Sequence, residues 1–275
     1  MKFADLHLHT IFSDGTLNCD ELVSRAAKAG LSAIAVVDHD TVAGFVQAQE
    51  AGLKFNVEIL SGVELTAEQE GAEIHLLGYL FDCRYQPLLE KLEFLRKNRV
   101  ERIYNICDKL KKDMGVHLEP ESVFSLAKKG TVGRLHVARA MVKDGLVSSI
   151  HEVFYKYIGD RCPGYVSGFK LTPGEAIKLI KDAGGVPVLA HPYTLRRDEL
   201  IPEFVKMGLA GLEVYYSEHT QGMVNFYLGL VNKYKLIATG GSDFHGDAKP
   251  NVQLGSIKIP YELVENLKAA KGKIK

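Results

Sequence analysis

The 275-residue sequence has few cysteines and no long apolar run, and each absence excludes a class of protein. None of its four cysteines stands in a Cys-x-x-Cys pair, which argues against a zinc knuckle or a disulfide framework, so we interpret all four as reduced thiols. No stretch approaches about 18 uninterrupted apolar residues, and the N-terminus carries no secretory hydrophobic segment. These absences predict a cytoplasmic protein that makes no contact with membranes.

An excess of charge of either sign is also absent, because 34 basic residues balance 34 acidic residues. Without net positive charge the protein has no general attraction to phosphate backbones, so we do not expect it to bind long duplex nucleic acid. The composition, 46% hydrophobic and 25% charged, is typical of a globular domain. A small phosphorylated substrate remains compatible with this balance, since arginines can still cluster in one part of the chain.

Seven short runs rich in β-branched residues alternate with helical stretches through most of the chain. This alternation predicts an α/β fold with a parallel sheet and crossover helices. The predicted strands cover residues 2–9, 31–38, 58–64, 73–81, 185–191, 211–216 and 236–240. The predicted helices cover residues 19–29, 42–51, 172–184, 198–207 and 218–234, with Gly30 and Gly52 just past the ends of the first two.

Residues 85–170 break the alternation, because only helical periodicity is present there, as in Leu88, Leu92 and Leu95. We expect this segment to be a helical insertion after the fourth strand that acts as a cap over the substrate. Residues 1–84 and 171–275 would then form a barrel. Their roughly 190 residues are too few for a full eight-stranded (β/α) barrel but enough for a short, distorted one.

Histidines and carboxylates recur at or near the ends of the predicted strands. His7 and His9, two residues apart, would lie on one face of the first strand, as would Asp243 and His245 after the last strand. Since parallel strands of a barrel end at one rim, these side chains should converge there. The full candidate set is His7, His9, Asp14, His39, Glu64, His75, His191, Asp243 and His245.

A multinuclear metal site is the interpretation that we favour for this set. Nine ligands exceed the needs of one tetrahedral ion, and imidazole with carboxylate but no thiolate suits manganese, zinc or iron. We therefore predict two or three divalent ions. The alternative is a set of independent structural histidines. Asp14 has an alternative of its own, because Ser13-Asp14-Gly15-Thr16 is by itself a typical turn before a helix.

Arginines in the insertion are candidates for binding phosphate, since a guanidinium contacts two oxygens of an anion at once. Arg96, Arg99 and Arg102 recur every three residues and would share one helix face, and we predict that Arg96 and Arg99 bind substrate. Arg134 and His136 follow a glycine-punctuated loop at a helix start, and we predict both to be catalytic and to bind substrate. The alternatives are a solvated helix face and, for His136, a partly buried helix residue.

The type and order of the nine candidate ligands resemble the PHP superfamily, named for polymerase and histidinol phosphatase. The resemblance covers essentially the whole chain, and the motifs that carry it are His7-x-His9, Asp14-Gly15, Asp38-His39, Glu64, His75, His191-Pro192 and Asp243-x-His245. It implies a distorted (β/α)7 barrel with a trinuclear centre. The implied ligands are His7, His9, Glu64 and Asp243 for the first ion, Glu64, His75 and His191 for the second, and Asp14, His39 and His245 for the third. Asp14 is a departure, since some relatives have a histidine there.

Within this superfamily the chain is most similar to a branch with a helical insertion, which includes nucleoside 3′,5′-bisphosphate phosphatases and 5′-to-3′ exoribonucleases. The resemblance implies a metal-dependent phosphoesterase that hydrolyses a nucleotide phosphomonoester, such as a nucleoside 3′,5′-bisphosphate or monophosphate, by a hydroxide that bridges two ions. Three alternatives stay open: a 5′-to-3′ exoribonuclease on short RNA, a histidinol-phosphate phosphatase, and a non-enzymatic domain that binds nucleotide. The expected partner is a small phosphorylated molecule, either a nucleotide or a short oligonucleotide.

Overall fold

A curved eight-stranded sheet is the framework of the protein in the computed structural model, which describes residues 1–128, 130–160, 162–167 and 171–272. The strands lie side by side in the order β8-β1-β2-β3-β4-β5-β6-β7. Their bounds are β1 Phe3–Leu8, β2 Ala33–Val36, β3 Glu58–Gln69, β4 Ala72–Tyr79, β5 Val186–Leu189, β6 Gly211–Tyr216, β7 Ile237–Gly241 and β8 Ile259–Pro260. The first seven correspond to the seven strands expected from the sequence, and β8 is an additional two-residue strand.

Backbone hydrogen bonds between the end of β1 and the segment after β7 close the sheet into a nearly complete barrel. The Asp243 amide donates to the His7 carbonyl at 2.9 Å, and the His9 amide donates to the Phe244 carbonyl at 3.0 Å. Gly241 permits this approach, since a Cβ at that position would lie 2.3 Å from the His7 nitrogen. At the other end of β1, β8 pairs with it in antiparallel fashion. The chain therefore forms the distorted α/β barrel that its sequence predicts.

The expectation of a uniformly parallel sheet was wrong at β4. This strand is antiparallel to both of its neighbours, β3 and β5. A tight turn at Glu70 and Gly71, both with positive φ (52° and 75°), joins β3 directly to β4, as is usual for a two-residue hairpin. The hairpin register places His75 opposite Thr66. His75 therefore reaches the rim from within a reversed strand, and not from a strand end.

The helices pack around the barrel and account for most of the remaining chain. The helices between the barrel strands are α1 Cys19–Lys28, α2 Phe45–Phe55, α7 Pro173–Asp182, α8 Ile201–Met207 and α9 Gln221–Tyr234, with α10 Tyr261–Lys271 at the C-terminal end. The helix predicted at residues 172–184 is present as α7 and is capped at both ends, because the Thr172 side chain accepts from the Glu175 amide and Gly184 follows the helix with φ of 74°. The end predicted for α2 was wrong. Gly52 is buried inside that helix, which ends at Asn56 in the left-handed conformation.

The helical insertion after the fourth strand is present, and it has a hydrophobic core of its own. Its helices are α3 Gln86–Met114, α4 Pro120–Ala127, α5 Arg134–Lys143 and α6 Ile150–Val153, continued by a π-helical turn at Phe154–Ile158. The first half of α3 packs on the barrel through Leu88, Leu92 and Leu95. Its second half joins the insertion core, through Ile103 and Leu110 among others. One long helix thus connects the two cores. Within the described residues, no helix is long and apolar enough to cross a membrane.

Candidate metal centre

The structure brings all nine predicted ligand residues together at one rim of the barrel. Their side chains form four overlapping groups, and within each group the ligand atoms lie within 4.8 Å of one another. The groups are His9, Asp14, His39 and His245; His7, His9 and Asp243; His7, Glu64 and His191; and His39, Glu64 and His75. Their role as metal ligands stays a prediction, but the spacing matches that of a multinuclear site.

Glu64, on β3, stands at the centre of this cluster and is only 1% exposed. Its Oε2 lies 3.2 to 3.3 Å from nitrogens of three imidazoles, and its Oε1 lies 2.9 to 3.0 Å from two more. The three near Oε2 are His7, His9 and His39, and the two near Oε1 are His75 and His191. A single carboxylate that faces two sets of imidazoles is the arrangement expected of a residue that bridges two cations.

Several polar atoms at the centre of the cluster are buried without a hydrogen-bond partner among the described residues. They are His9 Nε2, Asp14 Oδ1, His39 Nδ1 and His75 Nδ1. Leaving a buried polar atom unsatisfied costs about 1–3 kcal/mol, so a group of them facing one another needs an explanation. Divalent cations would satisfy all four atoms at once. The residues therefore fit the metal ions that the resemblance implies, and the donor set of imidazole and carboxylate suits manganese, zinc or iron.

Electrostatics keep the carboxylates of the cluster ionised. Burial alone would raise the pKa of Glu64, but the facing imidazoles of His39 and His75 outweigh burial and hold this pKa well below its ordinary value. Burial lowers the pKa of His9 and His75, yet their carboxylate neighbours dominate and raise these values to about 9 and about 10. In the absence of metal these two imidazoles would therefore carry protons, which a bound cation would displace.

Glu213 contacts two of the candidate ligands, His7 and His191, and helps to orient them. It lies inside β6, is fully buried, and accepts a hydrogen bond from His7 Nδ1 at 2.8 Å through Oε1. Its Oε2 accepts from the backbone amide of His191 at 2.7 Å. Donation from Nδ1 leaves Nε2 of His7 as the free ring nitrogen, and that atom faces the cluster. Glu213 therefore fixes both the imidazole of His7 and the backbone at His191.

Asp243 is held by two side chains outside the cluster. Its Oδ2 accepts from Tyr216 Oη at 2.9 Å and from Lys249 Nζ at 2.6 Å, while its Oδ1 faces the imidazoles of His7 and His9 at 3.4 and 3.3 Å. Burial would raise the pKa of Asp243, but the Lys249 and imidazole charges outweigh burial and lower this pKa well below its ordinary value. Oδ1 thus faces the candidate ligands, whereas Oδ2 accepts hydrogen bonds from Tyr216 and Lys249.

A cavity of about 530 Å³ lies above the cluster, between barrel loops and the insertion. Its polar lining includes Arg134, Lys249 and Glu73, and its apolar lining residues include Leu135, Ile150, Phe154, Pro250 and Val252. A second hollow of about 250 Å³ shares Arg134 and Lys249 with it and reaches Glu64, His191 and Asp243. The volume of the first cavity is in the range of small-molecule sites, and its lining offers both charged and apolar contacts to a ligand.

Arg134 and Arg99 line the cavity, but they differ in what their guanidinium groups contact. Arg134, at the first position of α5, is 15% exposed and lies at the boundary between the two hollows. Arg99 is buried, with Nε 2.6 Å from the Asp40 carboxylate and NH2 2.6 Å from Thr66 Oγ1. The donors of Arg99 thus join α3 to the barrel. Arg134 is also paired, with NH1 2.7 Å from Asp160 and NH2 3.3 Å from Glu73. A contact with substrate stays a prediction for both arginines.

Arg96 and His136 do not reach the candidate centre in the way expected. Arg96 is 42% exposed on the outside of α3, where it pairs with Glu93 at 3.4 Å, so the predicted basic stripe is divided between surface and interior. His136 is 1% exposed, and its Nδ1 accepts from the Gly133 amide at 3.2 Å, which caps α5. The alternative of a buried helix residue describes this environment. Its catalytic role stays a prediction without a contact to support it.

Glu73 and Lys249 are among the site residues that sequence reasoning overlooked. Glu73 forms the spacing Glu73-x-His75 on one strand, which is the pattern that identified His7 and His9, so a signal was present. Lys249 lies in a loop after β7, where no periodicity predicts its direction, and only the fold shows its contact with Asp243. Both residues line the cavity.

Proteins from several bacteria are similar to this chain in sequence, and one solved structure is similar to it in fold. Residues 5–157 match the PHP domain family. The chain is 33% identical to a 5′-3′ exoribonuclease from Haemophilus influenzae, over 89% of this chain and 90% of that protein. It is 31% identical to a 3′,5′-nucleoside bisphosphate phosphatase from Chromobacterium violaceum, over 93% and 91%. A crystal structure described as a metal-dependent phosphoesterase from Bifidobacterium adolescentis has a TM-score of 0.87 and 31% identity, and covers 97% of this chain and 95% of that one.

Proposed function

Because the chain belongs to the PHP domain family and is a metal-dependent phosphoesterase, we propose that it hydrolyses a phosphomonoester of a nucleotide. The proposal includes two or three divalent ions, manganese, zinc or iron, held by the nine converging histidine and carboxylate residues. When bound, such ions polarise a phosphate ester and lower the pKa of water, so that a nucleophile forms at neutral pH. The protein's own groups would bind the substrate and fix the ligands.

One observation carries this proposal: the cavity of about 530 Å³ is lined together by members of the ligand cluster, by cationic side chains and by apolar side chains of the insertion. A phosphate placed at the cluster would lie beside Arg134 and Lys249, whose charges stabilise the negative charge of its oxygens. The attached nucleoside would then extend along Leu135, Ile150 and Phe154. Arg134, Ile150 and Phe154 belong to the insertion, which supports our expectation that residues 85–170 cap the substrate.

A hydrolysis screen tests this function. The purified protein, supplied with Mn²⁺, is assayed for phosphate release from nucleoside monophosphates, nucleoside 3′,5′-bisphosphates and histidinol phosphate. We expect release from at least one nucleotide, and loss of that activity in Glu64→Gln, which removes the central charge of the cluster. Activity on histidinol phosphate with none on nucleotides would overturn the substrate class. Unchanged activity in Glu64→Gln would overturn the site.

A second candidate function, 5′-to-3′ exoribonuclease activity on short RNA, is favoured by an aromatic pair at the edge of the cavity. The ring of Tyr155 is 74% exposed and lies parallel to that of His151, with centroids 6.0 Å apart and an interplanar angle of 9°. His151 itself lines the cavity. Exposed aromatic rings bind nucleobases by stacking, so this pair could hold a second nucleotide that a mononucleotide substrate would lack.

Tyr155→Ala separates the two candidates. If the substrate is a chain, this variant should lose about tenfold or more in kcat/KM on a 5′-phosphorylated trinucleotide and retain its activity on a nucleoside 3′,5′-bisphosphate, because stacking contributes about 1–3 kcal/mol per base. Phe226→Ala, which removes another exposed aromatic ring from α9, is the matched control. Equal effects on both substrates would contradict the exoribonuclease candidate.

A further inference from the structure

Glu73, on β4 two residues before His75, is a buried carboxylate with contacts to both the barrel and the insertion. Its side chain is only 7% exposed. Oε1 accepts a hydrogen bond from His75 Nε2 at 2.9 Å. Oε2 lies 2.9 Å from Arg102 NH1 and 3.3 Å from Arg134 NH2. The carboxylate therefore joins a candidate metal ligand to two arginines that come from the inserted helices.

The contact with His75 decides which ring nitrogen is free. Donation of the Nε2 proton to Glu73 leaves Nδ1 as the lone-pair nitrogen of the neutral imidazole. Nδ1 faces Glu64 Oε1 at 2.9 Å and belongs to one of the groups that could hold a cation. A carboxylate behind a ligating histidine fixes the ring and makes it a better ligand, and loss of such a carboxylate typically weakens metal binding by about 10-fold to 100-fold.

The contact with the arginines decides where Arg134 lies. Its guanidinium is held between Glu73 on one side and Asp160 on the other, with NH1 2.7 Å from the Asp160 carboxylate. Arg102 completes the arrangement, since its Nε donates to the Val166 carbonyl at 2.7 Å while NH1 faces Glu73. Without the Glu73 charge, the two guanidinium groups would lose the carboxylate that they share. Arg134 would then keep only Asp160 as its carboxylate partner, and because Asp160 is 42% exposed, we expect Arg134 to move toward solvent.

We propose that Glu73 is a positioning residue that couples metal binding by His75 to phosphate binding by Arg134. The inference rests on the proposed function, because it assigns Arg134 to the phosphate. It goes further, because one carboxylate would influence both the affinity for metal at the cluster and the affinity for phosphate in the cavity.

The experiment compares Glu73→Gln with Glu213→Gln. Both substitutions neutralise a carboxylate behind a ligand histidine, but Glu213 contacts His7 and the His191 amide and contacts no arginine in the described part of the chain. Mn²⁺ affinity is measured by calorimetry, and KM and kcat are measured at saturating Mn²⁺ on a nucleoside 3′,5′-bisphosphate. Glu73→Gln should weaken Mn²⁺ binding by about tenfold or more and also raise KM by about tenfold. Glu213→Gln should weaken Mn²⁺ binding and leave KM within about twofold.

A double substitution tests the coupling itself. Arg134→Gln alone should raise KM and leave Mn²⁺ affinity unchanged, and addition of Glu73→Gln should raise KM no further, because the arginine it positions is already absent. A Glu73→Gln variant that changes only Mn²⁺ affinity or only KM would overturn the proposal, as would additive effects on KM. If Glu73→Gln does not fold, Glu73→Asp replaces it, since aspartate keeps the charge but places it farther from His75 and the arginines. This variant should show a smaller loss of Mn²⁺ affinity and a smaller rise in KM. A change in only one of these two quantities overturns the proposal.

Failure of the proposed function gives a different result. If the unmodified protein hydrolyses no phosphate ester, the function fails. The coupling is then read from calorimetric binding of Mn²⁺ and of inorganic phosphate, both of which Glu73→Gln should weaken. Unchanged phosphate binding in Glu73→Gln, with phosphate binding present in the unmodified protein, would overturn the coupling alone.

Discussion

His136 is a buried titratable group whose protonation should destabilise the folded protein in weak acid. Burial lowers the pKa of His136 from 6.5 to about 4. The charge of Asp14 opposes this shift, whereas the charges of Arg139 and Arg99 add to it. The folded protein therefore binds this proton more weakly than the unfolded chain does. The stability that His136 contributes as a neutral residue is present above pH 6.5 and is lost as the pH falls toward 4.

The size of this loss follows from the same two values. Each pH unit between them costs about 1.4 kcal/mol, so a fall from pH 6.5 to pH 5 costs about 2 kcal/mol of unfolding free energy. The comparison variant is His136→Gln. Glutamine at the third position of a helix can accept from the capping residue, as His136 accepts from the Gly133 amide, but it does not titrate. The two proteins should therefore differ mainly in this one proton.

Urea denaturation of chelator-treated protein at pH 7.5, 6.5 and 5, followed by circular dichroism, measures the effect. The unmodified protein should lose about 2 kcal/mol more than His136→Gln between pH 7.5 and pH 5, because the other histidines titrate in both proteins. Equal losses would refute the reasoning. The same variant also tests the catalytic role predicted for His136, which requires a fall in kcat of about 100-fold or more, whereas a role limited to capping requires none.

Three further predictions concern the framework and the metal. Arg99→Met should lower the unfolding free energy by about 3–5 kcal/mol, because it leaves the buried Asp40 carboxylate without its cation. Arg96→Met, on the surface, should change the unfolding free energy by less than about 0.5 kcal/mol. Similar losses for the two variants in urea denaturation would contradict this prediction. Gly241→Ala should lower the unfolding free energy by at least about 2 kcal/mol and reduce the bound Mn²⁺, since its Cβ would meet the His7 backbone. A variant with unchanged stability and unchanged metal content would refute the close approach of these two segments. Chelation should abolish hydrolysis, and Mn²⁺ at 100 times its Kd should restore it. The same Mn²⁺ concentration should raise the unfolding free energy by about 2.7 kcal/mol. Full activity after exhaustive chelation would exclude a required metal.

Much of the candidate site could be predicted from the sequence, because its ligands follow local rules. Alternation along a strand puts His7 and His9 on one face, and the ends of parallel strands meet at one rim, so His39 and His191 were expected beside them. The structure places all nine candidates together. His75 was included for its position in a strand, although its strand runs opposite to the direction expected.

The arginines could not be assigned in the same way, because a helix face does not reveal what packs against it. A spacing of three residues places Arg96, Arg99 and Arg102 near one another on α3, yet the barrel covers two of them and leaves Arg96 in solvent. Arg99 is matched by Asp40, a residue 59 positions earlier in the chain. No local pattern links those two positions.

The sequence by itself determined which chemistry the protein can perform, since residue types and strand periodicity specify a set of imidazole and carboxylate ligands at strand ends. Only the tertiary structure decided how that set is supported and what faces it. The antiparallel hairpin brings Glu73 and His75 to the rim, and the insertion then places Arg102 and Arg134 on the same carboxylate. The physical reason is that ligand type and spacing are local properties of the chain, whereas a buried charge is paired by whichever segment folds against it.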